Sequence, residues 1–167
     1  QFFTLFSTDK KHRKIKIICR YQQYEAANLI VERVKENKIK QGLIWHFQGS
    51  GKSLLMVFAA QKLRMIPELQ NPTVVIVDDR IDLETQITGD FNAADIPNLQ
   101  SLGTKEELMN FFEQDMRKIA ITTIFRFGDV EKALNMRDNI ILMVDEAHRT
   151  QEGDLGEKMR LALHLLS

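Results

Sequence analysis

Residues 48–53 read Gln-Gly-Ser-Gly-Lys-Ser, and they stand between an apolar run at 42–47 and a helical pattern that begins at Leu54. Gly49 and Gly51 permit positive φ angles and a close approach of the backbone. Successive N–H groups of such a loop can point into one cavity at the positive end of a helix dipole. The order strand, glycine-rich loop, helix is therefore typical of a phosphate-binding loop.

The side chains that follow these glycines suit a nucleoside triphosphate. Lys52 is expected to reach the β and γ phosphates, and the Ser53 hydroxyl to hold Mg²⁺. The longer P-loop pattern asks for glycine at position 46, where this chain has His46. That departure leaves the binding residues in place, so we predict a bound nucleoside triphosphate with Mg²⁺. The predicted nucleotide-binding residues of the loop are Gln48, Gly49, Ser50, Gly51, Lys52 and Ser53.

The rest of the chain alternates apolar runs with helical patterns. The runs predict buried strands at 42–47, 73–77, 119–123 and 140–144. The intervening patterns predict helices at 21–37, 54–65, 81–91, 105–116 and 154–166, the fourth opened by a capping box of Thr104 and Glu107. This alternation predicts one α/β domain, a parallel sheet with helices on both faces.

Two adjacent acids follow the last predicted strand, in the sequence Asp145-Glu146-Ala147-His148. A helix cap and a solvated charge would explain one acid better than two. With a P-loop upstream, Asp145 is expected to bind Mg²⁺ and Glu146 to polarise the water that attacks the γ-phosphate. Lys52, Asp145 and Glu146 are the predicted catalytic residues. His148 is needed for neither role and is interpreted as a residue that couples the nucleotide to a second motor domain.

Composition excludes several classes of protein. The chain has 167 residues, of which 44% are hydrophobic, and its 23 basic and 23 acidic residues cancel. This composition is that of a globular domain, not of a disordered or fibrous chain. The single cysteine, Cys19, cannot form an internal disulfide, and its isoleucine neighbours predict a buried thiol on a strand. No apolar run approaches the length that spans a bilayer, so we expect a cytoplasmic protein without membrane contact.

Positive charge is concentrated near the amino terminus. Six cations lie between residues 10 and 20, with only Asp9 beside them: Lys10, Lys11, Arg13, Lys14, Lys16 and Arg20. Such a run can follow nucleic-acid phosphates, but it is more often a solvated surface, and no aromatic residue is interleaved within it. Both interpretations stay open at this stage.

In its P-loop at 49–53 and its acidic motif at 145–148, the chain resembles a superfamily 2 helicase or translocase of the DEAH type. The resemblance covers about 20–149 and implies a RecA-like P-loop NTPase domain. In helicases of this class a glutamine ahead of the P-loop recognises adenine, and Arg20-Tyr21-Gln22-Gln23 matches that motif. Gln23 is the candidate, Gln22 is the alternative, and Arg20 is placed with the ATP-binding residues. A polar helix start would also explain this segment.

Three details are similar to one group within that class, the restriction (R) subunit of type I restriction enzymes. Trp45-His46 precedes the P-loop, residues 77–86 read Val-Asp-Asp-Arg-Ile-Asp-Leu-Glu-Thr-Gln, and His148 is followed by Arg-Thr-Gln. In such motors the loops after the second and third strands grip DNA phosphates. The resemblance therefore implies DNA contacts at Arg80, Thr122, Thr123 and Arg126, although the family usually has Gln-Lys where this chain has Phe125-Arg126. For the segment around Arg80, a helix cap with local ion pairs is the alternative.

The resemblance also implies a domain plan and partners. Residues 1–19 form a basic amino-terminal segment, and 20–167 form the first RecA-like motor domain, lacking the last strands and truncated before the Gly-Thr-Pro motif of the family. In folds of this kind the missing strand lies between the P-loop strand and the Asp145 strand. The implied partners are duplex DNA, a second RecA-like domain, and the methyltransferase and specificity subunits of a restriction-modification complex. The alternatives are another translocase of the superfamily, such as a type III restriction subunit, or a non-catalytic ATP-binding remnant.

Overall fold

The computed structural model of the chain describes residues 3–8, 13–38, 41–45, 50–78, 96, 98–128, 130–145 and 154–163. The chain divides into two compact units. The first unit comprises Gln1–Asn71 with Gly89–Pro97, and the second comprises Pro72–Thr88 with Asn98–Ser167. Within the described residues, no helix has the length and apolar character needed to cross a bilayer.

The first unit consists of a two-stranded ribbon and two helices. Strands β1 (Thr4–Thr8) and β2 (Lys14–Ile18) pair antiparallel, and helices α1 (Tyr21–Glu36) and α2 (Lys52–Arg64) pack together. A short 3₁₀ helix, Pro67–Leu69, follows α2.

The ribbon is anchored to the helices by one aromatic side chain. The Phe3 ring lies 4.7 Å from that of Tyr24 on α1 and 6.2 Å from that of Phe58 on α2, measured between centroids. The Lys62 ammonium lies 5.6 Å from the centroid of the Phe3 ring. Leu5 of β1 is buried as well, so one face of the ribbon belongs to the core of this unit.

The second unit is built on a parallel sheet of four strands. They are β3 (Thr73–Asp78), β4 (Leu99–Ser101), β5 (Ile119–Thr123) and β6 (Ile140–Val144), in the order β4-β5-β3-β6. Every residue of β3 and β5 is buried, as their mostly apolar sequences predict for the interior of a parallel sheet. Helix α3 (Lys105–Glu113), a 3₁₀ helix (Ile124–Phe127) and helix α4 (Asp154–Ala162) complete the unit.

Several sequence predictions are confirmed in this unit. The strands at 119–123 and 140–144 have the predicted bounds, and β3 extends the prediction by one residue. The capping box of α3 is present, since Thr104 Oγ1 accepts from the Glu107 N–H at 3.1 Å and Glu107 Oε2 from the Thr104 N–H at 3.1 Å. The helix ends at Glu113, before the predicted Met116, because Asp115 adopts a φ of 53° that a helix cannot continue.

A polar network ties the amino end of β3 to the segment before β6. The Arg137 guanidinium donates to Thr73 Oγ1 at 2.6 Å and to Asn139 Oδ1 at 3.0 Å, and it pairs with Asp115. Burial lowers the pKa of Arg137, and the Asp115 carboxylate opposes that shift. The network lies at the amino end of β3, whereas Asp145 follows the carboxyl end of β6.

Two predictions on the first unit are wrong. Residues 41–45 of the predicted strand 42–47 form no strand, and Leu43 and Trp45 are exposed. A strand needs a hydrogen-bonded neighbour, and none of the described residues supplies one here. Cys19 lies just after β2 and is half-buried, its N–H donating to the Phe3 carbonyl at 3.0 Å. Partial burial raises the pKa of this thiol.

The remaining differences concern short or undescribed elements. The ribbon partner β1 and the three-residue strand β4 were not predicted. Helix α1 confirms the prediction at 21–37 to within one residue, and α2 begins two residues before the predicted start. The helix predicted at 81–91 lies outside the described residues. Helix α4 begins at the predicted residue and ends at Ala162, and the last residues of that prediction, 164–166, also lie outside them.

Candidate nucleotide site

The start of α2 is where the predicted phosphate loop meets a helix. Gly51 caps α2 with φ 84° and ψ 43°, a left-handed conformation that glycine adopts without steric cost. Its carbonyl accepts the first helical hydrogen bond, from the Leu55 N–H at 3.1 Å. Lys52 and Ser53 are therefore the first two helical residues, and both are half-buried. Ser50 is buried, while Gln48 and Gly49 lie outside the described residues.

This helix terminus has the electrostatic character of an anion site. The N-cap residue of α2, Gly51, has no side chain to cap the helix, and the first turn contains no acidic residue. The N–H groups of a first helical turn have no partner inside the helix, and the helix dipole is positive there. Together with the Lys52 ammonium, this terminus suits a phosphate group.

The Gln23 side chain forms hydrogen bonds with the backbone of the loop before α2. Its side chain is 3% exposed, and its amide nitrogen Nε2 donates to the Gly51 carbonyl at 3.0 Å and to the Ser50 carbonyl at 3.4 Å. Its Oε1 accepts from the Arg20 N–H at 2.8 Å, which is the Gln half of a capping box at the start of α1. Gln22, the alternative adenine residue, is exposed, and so is Arg20.

The contact between Gln23 and the loop gives Gly51 a second constraint. A Cβ atom built on Gly51 would lie 2.4 Å from Gln23 Nε2, so a larger residue would clash with the amide. The sequence motif predicts an adenine contact for Gln23 and gives no sign that this side chain binds the loop backbone. Its position three residues after Arg20 accounts only for the capping-box bond.

Asp145 lies at the carboxyl edge of the four-stranded sheet. Its N–H donates to the Val77 carbonyl at 2.8 Å, which extends the ladder between β6 and β3, and its side chain is half-buried. Asp78 ends β3 at the same edge, fully buried and in register with Thr123. The motif at 77–86 predicted no role for Asp78, although Asp78 ends an apolar strand and Asp145 directly follows one. Glu146, His148 and Arg80 lie outside the described residues.

The residues predicted to contact DNA are placed differently from one another. Thr122 and Thr123 are fully buried, and the Thr122 hydroxyl donates to the Leu102 carbonyl at 3.1 Å. Within the described residues the Thr123 hydroxyl has no hydrogen-bond partner. Arg126 is half-buried and follows Phe125, which is exposed. Of these three predicted contacts, only Arg126 has part of its surface open to a DNA strand in this arrangement.

The parallel sheet, together with a glycine-capped helix that starts with Lys52-Ser53, defines an α/β P-loop ATPase domain of the RecA-like type. The sequence profile of the SWI2/SNF2 ATPase family matches residues 22–166, and the chain belongs to that family. The fold class predicted from the sequence is thereby confirmed.

Within this family, the chain is similar to endonuclease subunits of type I restriction enzymes. The chain is 37% identical, over 167 aligned positions, to the type I restriction enzyme HindI endonuclease subunit of Haemophilus influenzae, covering 92% of this chain and 16% of the relative. It is 26% identical over 144 positions to the type I restriction enzyme SsaAORF53P endonuclease subunit of Staphylococcus saprophyticus, covering 83% of this chain and 15% of the relative. These relatives confirm the predicted resemblance. The chain spans about 16% of the length of the first of them.

Proposed function

We propose that the chain is the ATP-binding first motor domain of a type I restriction endonuclease R subunit, in which ATP hydrolysis drives translocation along duplex DNA. Residues 20–167 form the motor domain, and 1–19 form a basic segment ahead of it. The observation that carries the proposal is the start of α2, where left-handed Gly51, which has no side chain to cap the helix, precedes Lys52. Phosphates of ATP suit this terminus because it offers N–H donors, the dipole and an ammonium.

The donor types proposed for Mg²⁺ fit a hard cation. The Ser53 hydroxyl and the Asp145 carboxylate are oxygen ligands, and magnesium in nucleotide sites is held by one or two such ligands together with phosphates and water. Bound magnesium neutralises charge on the β and γ phosphates. The described residues contain no cluster of three or more His, Cys, Asp or Glu side chains suited to a metal held by protein alone.

The catalytic roles rest on the two acids after β6. Asp145 is the proposed metal ligand and Glu146 the base that orients and polarises the attacking water. His148 is proposed to couple the nucleotide to the second motor domain. Gln23 is the proposed adenine residue, with Gln22 as the alternative, and the backbone contacts of Gln23 add a second role, that of holding the loop for Lys52.

The proposed partners follow from the names of the relatives, which are endonuclease subunits of type I restriction enzymes. The proposed phosphate contacts with duplex DNA are Arg80 and Arg126, and Thr122 and Thr123 end β5 just before the 3₁₀ helix that contains Arg126. The second RecA-like domain and the methyltransferase and specificity subunits complete the proposed complex in the cytoplasm. The same names favour this assignment over a type III restriction subunit.

The test uses a motor that carries this domain together with a second RecA-like domain. Glu146→Gln should bind ATP but release phosphate at least about 10²-fold more slowly, because removal of a general base commonly costs 10²–10⁴-fold. Glu131→Gln is the matched control, since it makes the same change at an exposed residue of the second unit. Translocation by the Glu146 variant at the parent rate would contradict the catalytic assignment.

The isolated chain gives a further test. A superfamily 2 site is completed by an arginine from the second domain, a contribution on the order of 10³-fold or more in related NTPases. Purified chain should therefore show little phosphate release, with or without duplex DNA. Strong stimulation by DNA that disappears in Lys52→Ala would show that the chain is a complete motor and that the proposed domain plan is wrong. Failure of the two-domain motor to hydrolyse ATP would instead favour a non-catalytic remnant.

A further inference from the structure

The ribbon of β1 and β2 presents one face that the core of its unit does not use. Cross-strand partners lie on the same face of an antiparallel pair, and Phe6 pairs with Lys16 while Thr4 pairs with Ile18. Lys14 lies on that face too, because side chains two residues apart in a strand point the same way. We call the set Phe6, Lys14, Lys16 and Ile18 the ribbon face.

The orientation of the ribbon is fixed by its other face. Leu5 is 4% exposed and pairs with half-buried Ile17, so these two side chains lie toward the core. Phe3, just before β1, packs on Tyr24 and Phe58. The ribbon face consequently points outward, and Lys14 and Lys16 are both exposed.

Solvation alone does not account for this face. Phe6 is 63% exposed and Ile18 is 64% exposed, although both could have been polar at no cost to the core. The sequence run lacked an interleaved aromatic residue, but strand pairing supplies one by placing Phe6 opposite Lys16. Apolar side chains beside cations can contact base edges of a nucleic acid while the cations contact its phosphates.

The charge of the ribbon has one sign. Residues 13–20 contain four cations and no acid, and residues 3–8 contain no charged side chain. Neighbouring lysines on one face repel each other, and a negatively charged partner would relieve that repulsion. The complementary surface is therefore a dense array of negative charge.

We propose that the ribbon face binds duplex DNA, as a contact separate from the nucleotide site. Lys14 and Lys16 neutralise phosphates, and Phe6 and Ile18 contact apolar base edges such as thymine methyl groups. The major groove of duplex DNA is wide enough to admit a two-stranded β-ribbon, which favours a duplex over a single strand. This contact goes beyond the proposed motor function, because it requires neither ATP nor the residues around Asp145.

The test measures anisotropy of a fluorescent duplex of about 20 base pairs mixed with the full chain, without nucleotide, over a range of salt concentrations. The variant carries Lys14→Gln and Lys16→Gln, which are exposed substitutions that leave Leu5 and Phe3 in place. At about 0.1 M salt its affinity should fall on the order of tenfold or more, and the slope of log K against log salt should flatten by about 2, one for each lost phosphate contact. The matched control, Lys38→Gln with Lys132→Gln, removes the same charge at exposed positions elsewhere and should bind as the parent does.

Further arms separate the alternatives. Phe6→Ser should weaken duplex binding without changing the salt slope, because it removes an apolar contact and no charge. An unchanged affinity of the lysine variant, an equal loss in the control, or tighter binding to a single strand of the same length would each overturn the proposal. Capture of an acidic protein surface with no measurable affinity for DNA would overturn it as well. Lys52→Ala should keep duplex binding, so failure of the nucleotide site and failure of the ribbon face are distinguishable.

Discussion

Two segments lead into the two sequence motifs of the nucleotide site, and only one of them is a strand. β6 runs directly into Asp145 and pairs with β3, and the bond from the Asp145 N–H to the Val77 carbonyl extends that pairing. Residues 42–45 belong to the apolar run before the P-loop, yet they form no strand, and Trp45 is 91% exposed. The difference lies in backbone partners, because an apolar run becomes a buried strand only where a neighbour completes its hydrogen bonds.

The largest expected difference in the free energy of unfolding is between alanine variants of one isoleucine from each segment. Ile140 of β6 is 6% exposed and belongs to the core of the second unit, whereas Ile44 is 46% exposed. Ile140→Ala should lower the free energy of unfolding by about 2–5 kcal/mol through lost burial and the cavity that remains. Ile44→Ala should change it by less than about 0.5 kcal/mol. Urea denaturation of the full chain measures both, and equal losses would mean that 41–45 packs as a strand after all.

The next effect concerns the side chains that reinforce the paired strand. Arg137 bonds to Thr73 at the start of β3 and pairs with Asp115. Arg137→Met should lower the free energy of unfolding by about 1.5–3 kcal/mol, since hydrogen bonds to charged groups contribute that much.

Arg117→Met is the control for this network. Arg117 lies 3.7 Å from the same Asp115, but both side chains of that pair are well exposed, so its loss should be within about 1 kcal/mol. If both variants lost stability equally, the side chains at the amino end of β3 would not distinguish this strand from residues 41–45.

A smaller loss of stability is expected at the loop before α2, where the Gln23 side chain, and not a neighbouring strand, donates hydrogen bonds to the backbone. Gln23→Ala leaves the Gly51 and Ser50 carbonyls without their amide donor and should lower the free energy of unfolding by about 1–2 kcal/mol. Gln22→Ala should have little effect because Gln22 is exposed.

The same pair of variants tests which glutamine recognises adenine. If Gln23 does, its alanine variant also loses preference for ATP over GTP, while the Gln22 variant keeps it. A loss of preference in the Gln22 variant alone would assign adenine to Gln22 and leave Gln23 as a residue that only holds the loop.

The sequence was most informative where local chemistry and burial agree. β3, β5 and β6 are mostly apolar runs bounded by turn residues, the pattern expected of strands in a parallel sheet. The start of α3 was equally predictable, because the side chains of Thr104 and Glu107 each accept a hydrogen bond from the other residue's backbone N–H. The positive φ of Gly51 was predictable from the glycine-rich pattern, although α2 begins at Lys52, two residues before the predicted start.

Features that depend on distant partners were not predictable. β4 is three residues long with polar Gln100 and Ser101, and only the neighbouring β5 makes it a strand. The ribbon combines a segment before residue 9 with one after residue 13, so the pairing of Phe6 with Lys16 is invisible along the sequence. The contact from Gln23 to the Gly51 carbonyl spans 28 positions, and no local pattern encodes it.

The central claim is that the start of α2 binds the phosphates of ATP, and titration of the full chain with a fluorescent ATP analogue in the presence of Mg²⁺ tests it most directly. Lys52→Ala should weaken binding by more than about tenfold, because a charge-assisted contact to phosphate is lost, and Lys62→Ala, at the far end of the same helix, should bind as the parent does. Equal affinity of the Lys52 variant and the parent chain would contradict the assignment of this helix terminus as the nucleotide site.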